Sequence, residues 1–323
     1  MPPLLLALQA GEGFARRVAE AGGFPLGRIE ERPFEDGEVK VRPLDEVRGR
    51  HVVIVQSLDT EAHERLCRVA MLIGAVKDAG AARVTGVFPY LAYARKDRRT
   101  KPRDPLTLRY VAAMLEAVGL VDVVALEVHD LAAFENAFRI PSVPLDTRQL
   151  FVDAVAPGLG DAEAVVVAPD PGGLKRAQRF QEALEARLER PLDRAMADKR
   201  RTGGVVSGER LYGDVADKQP IIIDDLTSSG GTLVRAAHAL VEAGARPPIV
   251  AVAHGVFADK AGAMLRDAPI ARLLVTDSID PPRLSPDELP CLEVVSCAPL
   301  VADAIDCLVA GGSISRLLGD ESS

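Results

Sequence analysis

The sequence predicts an α/β protein built on mainly parallel sheets, and three observations carry that prediction. Short, continuously apolar runs of strand length alternate with stretches whose apolar residues recur at helical spacing. Two of the helical stretches stop at a glycine just before the next strand, at Gly80 and Gly119. One such join occurs twice, as Ala79-Gly80-Ala81 and as Ala243-Gly244-Ala245, about half the chain apart. A period that long is no solenoid. It points to two related domains, each a mainly parallel sheet flanked by helices.

Taken in order, Val52-Val53-Ile54-Val55 reads as a strand buried on both faces, because no polar residue interrupts it. Leu66, Val69, Leu72, Ile73 and Val76 then follow a helical period up to Gly80. A strand from Val84 to Tyr90, a helix from Leu108 to Val118 and a strand at Val123-Val124-Ala125-Leu126 continue the alternation. Pro141, Pro144 and Asp146 are turn signals and divide the chain into domains 1–148 and 149–323. In the second domain, strands are expected at 165–167, 221–223, 249–252 and 273–275. Helices are expected at 174–188, 233–241 and 300–308.

Composition narrows the class. With 48% hydrophobic and 27% charged residues in 323, collagen-like, disordered and coiled-coil chains are excluded. Aromatics are 4% and Trp is absent, so the core must be aliphatic. A formal charge of −8 argues against nucleic acid as a partner. Cys67, Cys291, Cys297 and Cys307 lack CxxC spacing, which speaks for reduced thiols rather than a zinc site or disulfides. The apolar start Leu4-Leu5-Leu6-Ala7-Leu8 has no basic flank and is too short for a signal peptide. No run approaches the ~20 apolar residues of a membrane span. A cytoplasmic protein with no membrane partner is expected.

The most informative segment is Ile221-Ile222-Ile223-Asp224-Asp225-Leu226-Thr227-Ser228-Ser229-Gly230-Gly231-Thr232. A buried strand delivers two adjacent carboxylates to its C-terminal end, where ligands bind in open α/β sheets. A loop of small residues follows, and Leu233, Ala236, Ala237, Leu240 and Val241 then mark one face of a helix beginning at Thr232. Backbone N–H groups at such a helix start suit a phosphate. The acids do not. They suit sugar hydroxyls or a metal.

This arrangement resembles the binding loop of the phosphoribosyltransferase-fold proteins. Further motifs are Phe34-Glu35-Asp36-Gly37-Glu38, Tyr93-Ala94-Arg95-Lys96-Asp97-Arg98, Pro169 to Ala177 and Asp198-Lys199-Arg200-Arg201. Their order and spacing resemble the ribose-phosphate pyrophosphokinase family over residues 30 to 310. The resemblance implies transfer of the β,γ-diphosphate of Mg-ATP to the C1 hydroxyl of ribose 5-phosphate, giving the 1-diphosphate and AMP. It implies an ATP site at Asp36, Gly37, Glu38, Arg95 and Lys96, and a magnesium and triphosphate site at His129 and Asp170. It implies a ribose 5-phosphate site at Asp224, Asp225, Ser228, Ser229, Gly230, Gly231 and Thr232. Lys199 and Arg201 would come from a mobile catalytic loop, with Mg2+ as cofactor and a homo-oligomer as the working form.

Physical chemistry supports these roles unequally. Phosphoryl transfer needs positioning and neutralised charge, which Lys199-Arg200-Arg201 could supply. Asp170 offers the oxygen that magnesium prefers, whereas the imidazole of His129 suits a phosphate oxygen equally well. The six basic residues in 95–103 read as a triphosphate wall or a solvated run. Lys96 stands where the family commonly has Gln, and Ser228 where it often has Asp. Two other readings compete. A non-catalytic, synthetase-associated regulatory protein should lack the loop lysine or the magnesium-site residues, yet Lys199, Arg201, His129 and Asp170 are present. A nucleobase phosphoribosyltransferase would need only one domain.

Overall fold

The computed structural model describes residues 1–202, 205–312 and 314, with the side chains of 199–209 outside that description. The chain forms two compact units: Met1–Asp146 with Ser278–Pro281 and the chain from Cys297 on, and Thr147–Asp277 with Pro282–Ser296.

The first unit opens with β1 (Leu4–Leu6), α1 (Glu12–Gly22) and the antiparallel ribbon β2 (Ile29–Pro33) and β3 (Val39–Pro43). It continues as β4 (His51–Val55), α2 (Ala62–Asp78), β5 (Arg83–Phe88), α3 (Thr107–Ala117), β6 (Asp122–Leu126), α4 (Leu131–Ala137) and β7 (Ser142–Leu145). The sheet order is β1-β4-β5-β6-β7, with every pairing parallel. The apolar start is thus a buried edge strand paired with β4. The turn signals around Pro144 enclose β7, which tolerates a proline because it lies at the sheet edge, where a missing N–H costs no ladder bond.

The second unit runs α5 (Arg148–Val155), β8 (Ala164–Ala168), α6 (Leu174–Leu188), β9 (Asp193–Thr202), β10 (Val205–Tyr212), β11 (Gln219–Thr227) and α7 (Gly231–Glu242). Then come β12 (Ile249–Gly255), α8 (Ala261–Arg266), β13 (Arg272–Thr276) and β14 (Leu292–Val295). Its order is β10-β9-β8-β11-β12-β13-β14, parallel except for the β9–β10 hairpin.

The uninterrupted apolar strands have a direct cause. Side chains alternate between sheet faces. Val165, Val167, Ile222, Val250 and Val252 pack with Leu233, Ala236 and Leu240 of α7. Their neighbours Val166, Ala168, Ile221, Ile223 and Ala251 pack with Ala177, Phe180 and Leu184 of α6. Both faces are dry, and each fully buried Val or Leu contributes about 1.5–3 kcal/mol.

Four expectations change. The last helix, α9 (Ala298–Ala310), joins the first unit, where it packs on α1, so the division is not the single cut of 1–148 and 149–323. The motif Asp198-Lys199-Arg200-Arg201 lies on β9, paired antiparallel with β10, rather than in a loop. The strand carrying the acid pair runs on to Thr227, and its helix starts one residue early, at Gly231. Val241, expected on the buried face of that helix, is exposed.

Candidate active site

β11 lies inside the sheet between β8 and β12; its ladder to β8 ends at Ile222, so the segment that carries the acids is positioned by the β12 ladder. Asp224 is in register with Val252 of β12, and Asp225 is buried. Each carboxylate turns back on its own backbone. Oδ1 of Asp224 accepts the N–H of Asp225 at 2.9 Å, and Oδ1 of Asp225 accepts that of Leu226 at 2.9 Å.

The pair has one cation that sequence reasoning missed. Arg176, in the first turn of α6, reaches within 3.7 Å of Asp224 Oδ1 and 3.8 Å of Asp225 Oδ2. Its side chain is 20% exposed, that of Asp224 18% and that of Asp225 7%. Burial first, and the charge of Asp225 second, push the Asp224 carboxyl up to about 8, while Arg176 opposes the shift. Only the Pro169–Ala177 motif contained this arginine, and a basic residue early in a helix otherwise reads as solvated.

Beyond the acids, Ser228 to Gly230 lead into α7. Gly230 takes φ +81, a left-handed conformation that glycine adopts without strain, and a Cβ there would meet Leu265 at 3.0 Å. As the residue before α7 it offers no side-chain cap. The Gly231 N–H reaches Ser229 Oγ at only 3.4 Å, and Thr232 Oγ1 lies 3.4 Å from an Arg235 nitrogen. The helix start therefore presents backbone donors and its positive dipole end to a ligand. Ala258 N–H holds the Ser228 carbonyl at 2.9 Å, which pins the loop to the segment after β12.

Asp170 lies two residues beyond β8 and caps the next turn, with Oδ1 accepting from Gly172 at 2.9 Å and Gly173 at 3.2 Å. Its motif thus leads directly into the helix that carries Arg176. The backbones of Lys199 and Arg201 lie on β9, opposite Glu209 and Val206, and their side chains lie outside the described residues.

The other predicted positions belong to the first unit. Asp36, Gly37 and Glu38 form the exposed turn of the β2–β3 ribbon, where Asp36 Oδ1 accepts the Glu38 N–H at 3.1 Å and Gly37 takes φ +89. Arg95 and Lys96 are exposed on the loop after β5. Asp104 organises that loop by accepting from the N–H groups of Thr100 at 3.2 Å and Lys101 at 2.9 Å. His129 is exposed just before Asp130, which caps α4. Because β5 and β6 are parallel neighbours, Arg95, Lys96 and His129 all follow the same end of the sheet. The ribbon turn belongs to a separate sheet.

The second unit thus brings together an acid pair at the end of a strand, a loop of small residues and a helix start without a side-chain cap. That arrangement, on a doubled α/β framework, puts the protein in the phosphoribosyltransferase-fold class. The N-terminal domain of ribose phosphate pyrophosphokinase matches residues 4–119, and the phosphoribosyl synthetase-associated domain matches residues 206–319. The ribose-phosphate pyrophosphokinase of Caldanaerobacter subterraneus subsp. tengcongensis is 37% identical over 94% of this chain and 93% of that protein. The one of Fusobacterium nucleatum subsp. nucleatum is 35% identical over 94% of each. The crystal structure of phosphoribosylpyrophosphate synthetase from Mycobacterium smegmatis matches with a TM-score of 0.88 at 29% identity, covering 97% of this chain and all of that one. The chain belongs to the ribose-phosphate pyrophosphokinase family.

Proposed function

We propose that this protein transfers the β,γ-diphosphate of ATP to the C1 hydroxyl of ribose 5-phosphate, giving phosphoribosyl diphosphate and AMP. The observation that carries the reading is the acid pair beside the uncapped start of α7, in a chain that matches the family through both units. The regulatory and nucleobase-transferase readings gain nothing comparable.

In this reading the Ser228–Thr232 backbone takes the 5-phosphate, and Asp224 and Asp225 accept the ribose hydroxyls. Asp36, Gly37, Glu38, Arg95 and Lys96 serve ATP. The C1 oxygen attacks the β-phosphorus in line, the bond from that phosphorus to the α,β-bridging oxygen breaks, AMP leaves, and the hydroxyl proton is released. Lys199 and Arg201 offset the charge that grows on the phosphoryl oxygens. A homo-oligomer is the proposed working form, supported by the exposed apolar side chains Tyr110 and Met114 one turn apart on α3.

Magnesium fits the donors in a restricted sense. Among the described residues no group of three or more His, Cys, Asp or Glu side chains could hold a metal ion. Asp170 is a single oxygen donor whose Oδ1 already serves two backbone N–H groups. That suits an ion that binds through one or two carboxylates and completes its shell with water and substrate phosphates. Bound with the triphosphate, the ion would neutralise charge on its oxygens. Asp170 would supply carboxylate, and His129 would donate to a phosphate oxygen.

Two experiments test this reading. Incubating the protein with Mg-ATP and ribose 5-phosphate should yield AMP and the sugar 1-diphosphate in equal amounts. ADP with a singly phosphorylated sugar would overturn the proposal. Separately, initial rates are titrated with magnesium at saturating ATP. Asp170→Asn keeps the helix cap, since Asn caps as well as Asp, and should raise the metal concentration for half-maximal rate. His129→Ala should lower kcat with little change in that concentration. A strong metal effect from His129→Ala would instead make the imidazole the better candidate for the metal.

A further inference from the structure

The β9–β10 hairpin that carries Lys199 and Arg201 has an unusual footing. β9 pairs with β8 only over Asp193–Met196, and β10 is the edge strand of the sheet. From Ala197 to Thr202, β9 is paired with β10 alone. A two-stranded ribbon is marginally stable by itself, so its direction has to be set at the base.

At that base one ammonium group joins three chain segments. Lys218 Nζ lies 2.6 Å from Asp193 Oδ2, 3.0 Å from Asp214 Oδ2 and 3.2 Å from the Asp214 carbonyl oxygen. Asp193 opens β9, Asp214 follows the end of β10, and Lys218 directly precedes β11, the strand of the acid pair. Lys218 is only 8% exposed. An ammonium has three donors, and this one uses all three to hold the hairpin. The return path is tight as well: Gly213 takes φ +108, and a Cβ there would fall 2.8 Å from the Arg194 carbonyl oxygen. The lysine is itself held in place, because its carbonyl accepts the Arg246 N–H at 3.0 Å and its N–H donates to Val215 at 3.2 Å.

We propose that Lys218 is a positioning residue for the reaction, clamping both ends of the β9–β10 hairpin to the foot of β11 and so setting where Lys199 and Arg201 stand. The proposal rests on the catalytic reading of the hairpin given above. Leverage makes the clamp matter. At about 3.3 Å per residue, the strand at Lys199 lies roughly 20 Å from Asp193, so a tilt of about 3° at the base displaces it by about 1 Å. Displacements of that size at the chemistry cost up to ~10²-fold in rate. Asp193 and Asp214 are largely exposed, and nothing about their burial requires a lysine between them.

The test is steady-state kinetics and thermal unfolding of Lys218→Met, Lys218→Arg and Lys199→Ala in the full chain, with Lys218→Met also combined with Lys199→Ala. Lys218→Met should lower kcat roughly 10-fold while the KM for ribose 5-phosphate changes less than about 2-fold, the signature of an interaction expressed in the transition state. Lys218→Arg, which keeps the charge and offers several N–H donors, should recover most of that loss. In the Lys199→Ala background, Lys218→Met should cost clearly less than it does in the wild type, Arg201 accounting for what remains, because coupled residues are not additive. A lower melting temperature with wild-type kcat would make Lys218 purely structural. Additive losses, with Lys199→Ala itself impaired, would overturn the clamp alone. Wild-type turnover in Lys199→Ala would overturn the catalytic reading and the clamp together. If Lys218→Met does not fold, Asp193→Ala and Asp214→Ala release the same clamp from exposed positions. Either should then lower kcat in a folded protein, and full activity in both would overturn the proposal.

Discussion

Replacing Lys199 by alanine is expected to lower kcat by on the order of 10²–10³, the scale for removing one preorganised donor at a developing anion. Phosphoryl transfer makes few covalent demands on the protein, so fixed positive charge near the triphosphate supplies much of the rate. The KM values should move far less than kcat, because the charge being offset grows mainly in the transition state. Stability should hardly change. The backbone of Lys199 lies on the part of β9 that pairs only with β10, beyond the last residue joined to β8. Steady-state rates with thermal unfolding as a control decide the matter. A folded variant with wild-type turnover would remove Lys199 from the mechanism.

The second large effect belongs to Asp224→Asn, which should weaken ribose 5-phosphate far more than ATP. A carboxylate accepts hydrogens at two oxygens, whereas an amide accepts at one, and a hydrogen bond to a charged group contributes about 1.5–3 kcal/mol. The KM for ribose 5-phosphate should therefore rise roughly 10- to 100-fold. Equal weakening of both substrates would mean that the acids hold a shared metal.

The same substitution tests the electrostatics of the pair. The Asp224 carboxyl is raised from 3.8 to about 8 in the folded protein, so below pH 8 the native state holds a proton that the unfolded chain has already lost above pH 4. The native state binds more protons throughout that window, and its stability must fall as pH rises from about 4 to about 8. Asn cannot titrate. Substrate-free Asp224→Asn should thus melt higher than the wild type at pH 9, with the advantage shrinking toward pH 5. Parallel melting curves at both pH values would show that the buried pair carries no such proton. Substrate binding should run the other way, because hydroxyl donors favour the ionised acid. Affinity for ribose 5-phosphate in the wild type should gain as pH rises toward 8, and this dependence should be lost in Asp224→Asn.

Much of this fold is legible in the sequence. Strands such as 165–167 and 221–223 announce themselves because burial on both faces permits no polar residue. The helix of α6 is expected at 174–188 and observed at Leu174–Leu188. It is bounded on one side by Gly173 and on the other by Glu189, which takes a left-handed φ of 53. The acid pair and its loop were legible for a related reason: carboxylates and glycines at the end of an apolar strand have little structural use. Arg176 was not. Its partners are 48 and 49 residues further along the chain, and only the packing of α6 against β11 joins them. The β9–β10 hairpin was not legible because its sequence, Asp193–Thr202 and Val205–Tyr212, shows neither apolar period.

What the sequence determined by itself is therefore local or periodic: the α/β class, most of the central strands, and the acid pair with the glycine loop that follows it. These follow from side-chain burial and backbone preference within a few residues, which the order of amino acids encodes directly. Tertiary structure alone decided which distant segments share an environment. It returned α9 to the first unit, where its apolar face of Val301, Ala302 and Ile305 is buried and the helix packs on α1. It set one arginine beside a half-buried and a buried acid, and one lysine across the foot of a hairpin. The physical reason is the same in each case. A charge or an apolar face specifies that it needs a partner, but many segments of the chain could supply one, and only the folded path selects which does.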